Sequence, residues 1–227
     1  SAGASIKSLG GNGNVTIGSN TLTITNGADT FSGCVSGTGN LVVSGGTQIL
    51  TGTNSYAGTT TISGGTLQVG AGGTAGTLGA GNVTNNANLS FNRTDVVTVS
   101  NNISGTGNLT QAGTGTTNLT GTNSYIGSTN VTGGTLALMS GGDASSVVNV
   151  STGAALNVTT SDASIKSLAG SGSVALDGQT LTLANANDSF SGVISGAGNL
   201  SLTTGTQNLS GNNTYAGTTT ISGGTLR

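Results

Sequence analysis

The 227 residues include no proline, no tryptophan, no histidine, a single cysteine and only 4% charged residues. Without histidine there is no Ser-His-Asp or Cys-His arrangement, and a metal site would rest on carboxylates alone. One cysteine, Cys34, cannot close an internal disulfide. Four basic residues, Lys7, Arg93, Lys166 and Arg227, are too few for a phosphate-binding track, so no nucleic-acid partner is expected. The chain has 43 glycines, yet none stands in the strand-GxGxxG-helix context of a dinucleotide site, and no cofactor is expected.

What is present is glycine, threonine, serine and asparagine, a composition that often stays disordered. Against disorder stand the hydrophobic residues, 33% of the chain, set at alternate positions in short runs. Val15-Thr16-Ile17, Leu22-Thr23-Ile24, Leu89-Ser90-Phe91, Leu156-Asn157-Val158 and Leu181-Thr182-Leu183 each have the period of a strand with one buried face. No stretch has apolar residues at three-and-four spacing, and threonine, which favours strands, fills much of the polar face. The fold class is all-β.

One phrase recurs. GTNSYAGTTTISGGTLQVG at Gly52 returns as GTNSYIGSTNVTGGTLAL at Gly121 and as GNNTYAGTTTISGGTLR at Gly211, each preceded by SGxGNL, at Ser36, Ser104 and Ser195. The serine anchors are 68 and then 91 residues apart, a difference of 23. That difference predicts a structural rung of about 23 residues, three to the shorter unit and four to the longer, with copies at approximately 31–70, 99–138 and 190–227 of a single solenoid over 1–227. A rung of that size, with two or three short strands joined by glycine and asparagine corners, is one coil of a parallel β-helix. Roughly ten coils would make a rod about 45 to 50 Å long. Asn40, Asn108 and Asn199 each precede a strand, where an amide pairs corner backbone groups and tolerates left-handed dihedrals. Gly64, Gly133 and Gly223 supply tight corners.

The phrase GxNxYxGxTxISGGTL with its upstream SGxGNL resembles the autotransporter-associated β-strand repeat of type V secreted passenger domains. The second copy departs from it at Ile126, Ser128 and Val131. The resemblance implies a right-handed parallel β-helix displayed outside a Gram-negative cell, together with a signal peptide and a translocator barrel. Neither is recognised in these residues, so the chain is expected to be a segment or the mature piece of something longer, inserting no part of itself into a membrane.

Candidate site residues are few. Cys34 should point away from the face shared by Phe31, Gly33 and Val35; it reads as a small surface residue, with an intermolecular disulfide or lipid attachment as alternatives. The acids are Asp29, Asp95, Asp143, Asp162, Asp177 and Asp188. Asp29 and Asp188, 159 residues apart, read as turn residues. Glycoside chemistry needs two acids within about 5 to 10 Å. Only coil stacking would bring Asp162, Asp177 and Asp188 that close, in a chain without converging aromatics, so no polysaccharide-degrading activity is expected. GGNGN at Gly10 superficially resembles a calcium-binding nonapeptide, but Asn14 stands where the aspartate should be. Asn82, Asn88, Asn92, Asn108 and Asn199 open N-x-S/T triplets, a by-product of corner asparagines.

The remaining candidate is the outer surface. Thr21, Thr23, Thr25, Thr59, Thr61, Thr218 and Thr220 are expected to form rows of hydroxyls on a flat face of a chain whose net charge is only −2. Rods would pair side by side through this face or join end to end as a fibre, with a host surface or glycan as other partners. A plain soluble exterior needs no such role. Ice binding would demand strict Thr-x-Thr ladders, which the sequence register does not favour. The expectation is a structural, self-associating stalk of a surface-displayed or secreted adhesin.

Overall fold

The computed structural model describes residues 3–140 and 146–227, so Asp143 lies outside the described residues. Among them there are only strands, and every strand pairing is parallel. The chain winds around three faces. The first begins with Ala4–Ile6, Leu22–Ile24, Leu41–Val43, Thr60–Ile62, Val83–Asn85 and Ile103–Ser104, and is taken up again by Ala163–Ile165, Thr180–Leu183, Asn199–Leu202 and Thr219–Ile221. The second is one unbroken sheet of 11 strands from Thr30–Phe31 to Thr225–Leu226. The third carries Val15–Thr16 and Val35–Ser36, then six strands from Val96–Val99 to Val193–Gly196.

Alternation places one set of side chains inside. Leu41, Val83 and Ile103 on the first face, Leu67, Leu89, Phe91 and Leu109 on the second, and Leu136, Leu156 and Val174 on the third are fully buried. Each is worth about 1.5 to 3 kcal/mol by burial, and in a stack every such residue packs against its counterparts above and below.

The coil is shorter than the spacing of the repeats predicts. On the first face Leu22 lies beside Leu41, Leu41 beside Thr60, Thr60 beside Val83 and Val83 beside Ile103, steps of 19, 19, 23 and 20 residues. On the second face Leu89, Leu109, Thr129, Val148 and Leu168 follow one another at 20, 20, 19 and 20. The repeat spacing is therefore not a whole number of coils. The strand after SGTGNL is Leu41–Val43 on the first face in copy one, Asn108–Gln111 on the second face in copy two, and Asn199–Leu202 on the first face again in copy three. The middle copy is turned by one face, and the outer copies, 159 residues apart, are eight coils apart and in phase.

What stays constant is internal to the phrase, which is two coils long and stacks on itself. In each copy the second coil lands on the first with the same contacts. Leu41, Leu109 and Leu200 pair with Thr60, Thr129 and Thr219. The Oδ1 atoms of Asn40, Asn108 and Asn199 accept the backbone N–H of Thr59, Ser128 and Thr218 at 2.9, 2.9 and 2.8 Å. A second set of asparagines points the other way: Asn54, Asn123 and Asn213 accept from the N–H of Val35, Ile103 and Ile194 at 2.9, 3.3 and 2.8 Å. The tyrosine hydroxyls meet those of Thr60, Thr129 and Thr219 at 2.7, 2.6 and 2.6 Å. Tyr56 and Tyr125 are fully buried, and burial raises the Tyr56 phenol above its ordinary pKa. The corner asparagines do their work without left-handed dihedrals, since every described residue with positive φ is glycine.

At the crossings between coils that recur in each phrase, no Cβ fits. One added to Gly58, Gly127 or Gly217 would stand 2.2 Å from the carbonyl oxygen of Gly39, Gly107 or Gly198. Gly65, Gly134 and Gly224, the second glycines of the GGTL corners, have φ of +73, +53 and +84°.

The 23-residue coil departs from this regularity. Residues 71–75 stand out exposed between Val69 and Gly76. Arg93 holds them in place: its guanidinium donates to Thr74 O at 2.6 Å, to Gly76 O, and to both carboxylate oxygens of Asp95 at 2.9 and 2.7 Å. This is the one ion pair among the described residues. The Arg93 hydrogen bonds hold the Asp95 carboxyl below its ordinary pKa.

Two outcomes follow. Gly127→Ala should cost about 1 to 3 kcal/mol through overpacking, read as a lower urea midpoint. Gly13→Ala, at a position with no neighbour within 4 Å and no positive φ, should change it by less than about 0.5 kcal/mol. Because the Asp95 pKa is depressed in the folded chain, its stabilising contribution is present above the unfolded carboxylate pKa and disappears as pH falls through the folded one. The difference in urea midpoint between the natural chain and Asp95→Asn should therefore be present at neutral pH and vanish below the carboxylate range. A difference that persists in acid would contradict the assignment.

Candidate functional site

The first face presents three columns of outward positions running up the rod. Its central column is Ser5, Thr23, Val42, Thr61, Thr84 and Ser104, in register from coil to coil, and in the later coils Ser164, Thr182, Ser201 and Thr220. Successive members lie about 4.8 Å apart, the spacing of neighbouring strands. The hydroxyls of Thr23, Thr61 and Thr220 have no partner among the described residues. Only Val42 interrupts the column through the first six coils.

The flanking threonines behave differently. Asn40 Nδ2 donates to Thr21 Oγ1 at 3.5 Å while its Oδ1 accepts the Thr59 hydroxyl at 3.1 Å. Thr180, Asn199 and Thr218 repeat this column with contacts of 3.4 and 3.1 Å. On the other flank the Thr25 hydroxyl donates to Ile6 O at 3.1 Å. Thr21, Thr25, Thr59 and Thr218 are thus committed to stitching coils together, and Thr60 is buried against Tyr56. Of the seven threonines named from sequence, Thr23, Thr61 and Thr220 are the ones with hydroxyls to offer.

The other candidates resolve into structure. Phe31, Gly33 and Val35 are buried and Cys34 is half-buried on the opposite side, its Sγ 3.6 Å from Ser55 Oγ and 3.6 Å from Val35 O. Asp162 takes the corner-asparagine role, accepting the Thr180 N–H at 2.7 Å. Among the described residues no group of three or more His, Cys, Asp or Glu side chains is placed to hold a metal. Asn14, in the GGNGN segment, accepts the Cys34 N–H at 3.2 Å, another corner contact between coils. Gly64, Gly133 and Gly223 lie at corners between strands of the second coil of each phrase.

Among the buried amides that sequence reasoning missed, two glutamines reach across two coils. Gln48 Nε2 donates to Leu9 O at 2.8 Å while its Oε1 accepts the Leu9 N–H at 3.0 Å, two coils away. Gln207 does the same to Leu168, at 2.8 and 3.2 Å. Each fills a gap left where the intervening coil has only a two-residue strand, Thr30–Phe31 or Ser189–Phe190. The available signal was a glutamine at an inward strand position, Thr47–Leu50 and Thr206–Leu209, repeated at the 159-residue offset.

Comparison with known proteins agrees with this architecture. The passenger-associated-transport-repeat matches residues 43–69, 109–138 and 195–227, each including the second coil of a phrase. The chain is 42% identical over 116 residues to a protein named adhesin BmaC autotransporter, from Brucella suis biovar 1 (strain 1330). That match takes in 45% of this chain and 3% of the adhesin's length. No solved structure matches. The chain thus carries three matches to the passenger-associated-transport-repeat on a parallel β-solenoid, and over part of its length it is similar to an autotransporter adhesin.

Proposed function

We propose that this chain is a non-catalytic stalk segment of an extracellular or cell-surface adhesin and that it associates with a second copy through its first face. The carrying observation is the central column of Thr23, Thr61 and Thr220, whose hydroxyls have no partner among the described residues. Two such columns brought together would exchange hydrogen bonds at each coil. Each contact is worth only about 0.5 to 1.5 kcal/mol, and it is their number along the rod that would make the pairing useful. Net charge of −2 offers little repulsion between copies. The repeat match and the adhesin relative support the surface role, and the coil stack supports the stalk, because each coil pairs its strands with those of its neighbours and folds onto the one before it.

Sedimentation velocity across a hundredfold dilution tests the pairing. The natural chain should show reversible dimers or larger bundles. Thr23→Lys, Thr61→Lys and Thr220→Lys together should leave monomers at every concentration, with an unchanged urea midpoint, because the substitutions place cations opposite one another on an exposed face. Association undiminished by the three lysines would contradict this face, and monomeric rods in the natural chain would contradict self-association.

A further inference from the structure

The third face has one break. From Val15–Thr16 upward, backbone hydrogen bonds link each coil to the next: Val15 N–H to Cys34 O, Ser55 N–H to Val35 O, Ala80 N–H to Tyr56 O, and, above the break, Thr116 N–H to Asp95 O and Thr120 N–H to Val99 O. Between residues 77–80 and Val96–Val99 no backbone hydrogen bond forms. The two coils are joined there by a side chain, Asn101, whose Nδ2 donates to Gly79 O at 2.8 Å and to Gly81 O at 2.6 Å.

The open edge has a defined polarity. In a parallel ladder alternate residues bond to opposite neighbours. The carbonyls of Asp95 and Val99 serve the coil above, and Val97 pairs with Thr117 in the same direction. The N–H and C=O groups of Val96 and Thr98 are therefore left pointing down into the break. A groove of about 400 Å³ opens at this point, with Leu78, Phe91, Val97 and Val99 among its apolar lining and no charged side chain on its walls. It belongs to the coil that is three or four residues longer than most, the one whose outgrowth Arg93 pins.

We propose that this groove is a docking slot for an extended, uncharged peptide strand from another polypeptide, which pairs with the open edge of Val96–Val99. The donors and acceptors of Val96 and Thr98 are spaced for a backbone rather than for a sugar or a nucleotide, and the apolar lining suits side chains pointing inward at every second residue. The absence of charge on the walls selects against acidic or basic segments. An unpaired strand edge inside an otherwise closed ladder is a template for strand addition. The proposal is independent of pairing through the first face.

The probe is a fluorescently labelled nine-residue peptide copying residues 114–122, TGTTNLTGT, the strand that already pairs with the other edge of Val96–Val99. Its anisotropy should saturate with added protein, and amide exchange at Val96 and Thr98 should slow by about tenfold or more at saturation. Thr98→Pro removes a donor that faces the slot and none that bonds Thr116–Leu119, and should abolish both effects. Ala80→Trp, at an exposed position on the groove wall, should do the same and decides the matter should the proline variant not fold. Amides at Val96 and Thr98 that exchange unchanged at millimolar peptide would overturn the proposal. So would undiminished binding to Ala80→Trp, or slowing by methyl β-glucoside and not by peptide. Loss of first-face association in the triple lysine variant leaves these outcomes unaffected.

Discussion

A parallel solenoid has unpaired backbone groups wherever its chain turns a corner, and here side-chain amides bond them. Asn40, Asn108 and Asn199 accept from the coil above, and Asn54, Asn123 and Asn213 from the coil below, so that each two-coil phrase is fastened to itself in both directions. The remainder of the fold depends on that fastening. Glycines must occupy the crossing points because a Cβ would meet a carbonyl oxygen of the neighbouring coil. Threonine follows tyrosine by four residues in each copy, where its hydroxyl meets the phenol that the coil stack encloses. A buried amide or phenol without its partner would cost about 1 to 3 kcal/mol, so the phrase persists as a set.

This explains how the middle copy can sit a third of a turn away from the other two. The contacts that matter lie within the phrase, between a coil and the next, and the three faces offer equivalent strands and corners. A phrase that completes itself is indifferent to the face on which it begins. The spacing of phrases is then free to be a fraction of a coil, and the repeat distances of 68 and 91 residues carry no direct information about coil length.

Much of the architecture was nonetheless legible in the sequence. Alternation in runs such as Leu22-Thr23-Ile24 marks strands because the side-chain period is a local property of the backbone, and SGxGNL announces a corner asparagine because the glycines around it leave little else to order. Coil length was misjudged because it depends on where strands land, and the 19- and 20-residue steps leave no mark on a sequence whose strands all look alike. The inward glutamines, Gln48 and Gln207, and the Arg93 staple respond to gaps in the ladder that exist only after folding. Of the threonines on the first face, sequence alone could not separate those bonded to the next coil, such as Thr59, from those left free, such as Thr61, since the two differ only in whether an asparagine stands beside them one coil away.

Native-state amide hydrogen exchange at Val35, Thr59, Ile103, Ser128, Ile194 and Thr218 tests the fastening most directly. These corner N–H groups have only a side-chain oxygen as partner, so if asparagine amides hold the coils together they should be protected nearly as strongly as ladder amides such as Leu89 and Leu109, and lose that protection when the asparagine is changed to alanine. Exchange at the rate of exposed loop amides in the natural chain would show that the coils are held by strand pairing and core burial alone, and would contradict the account.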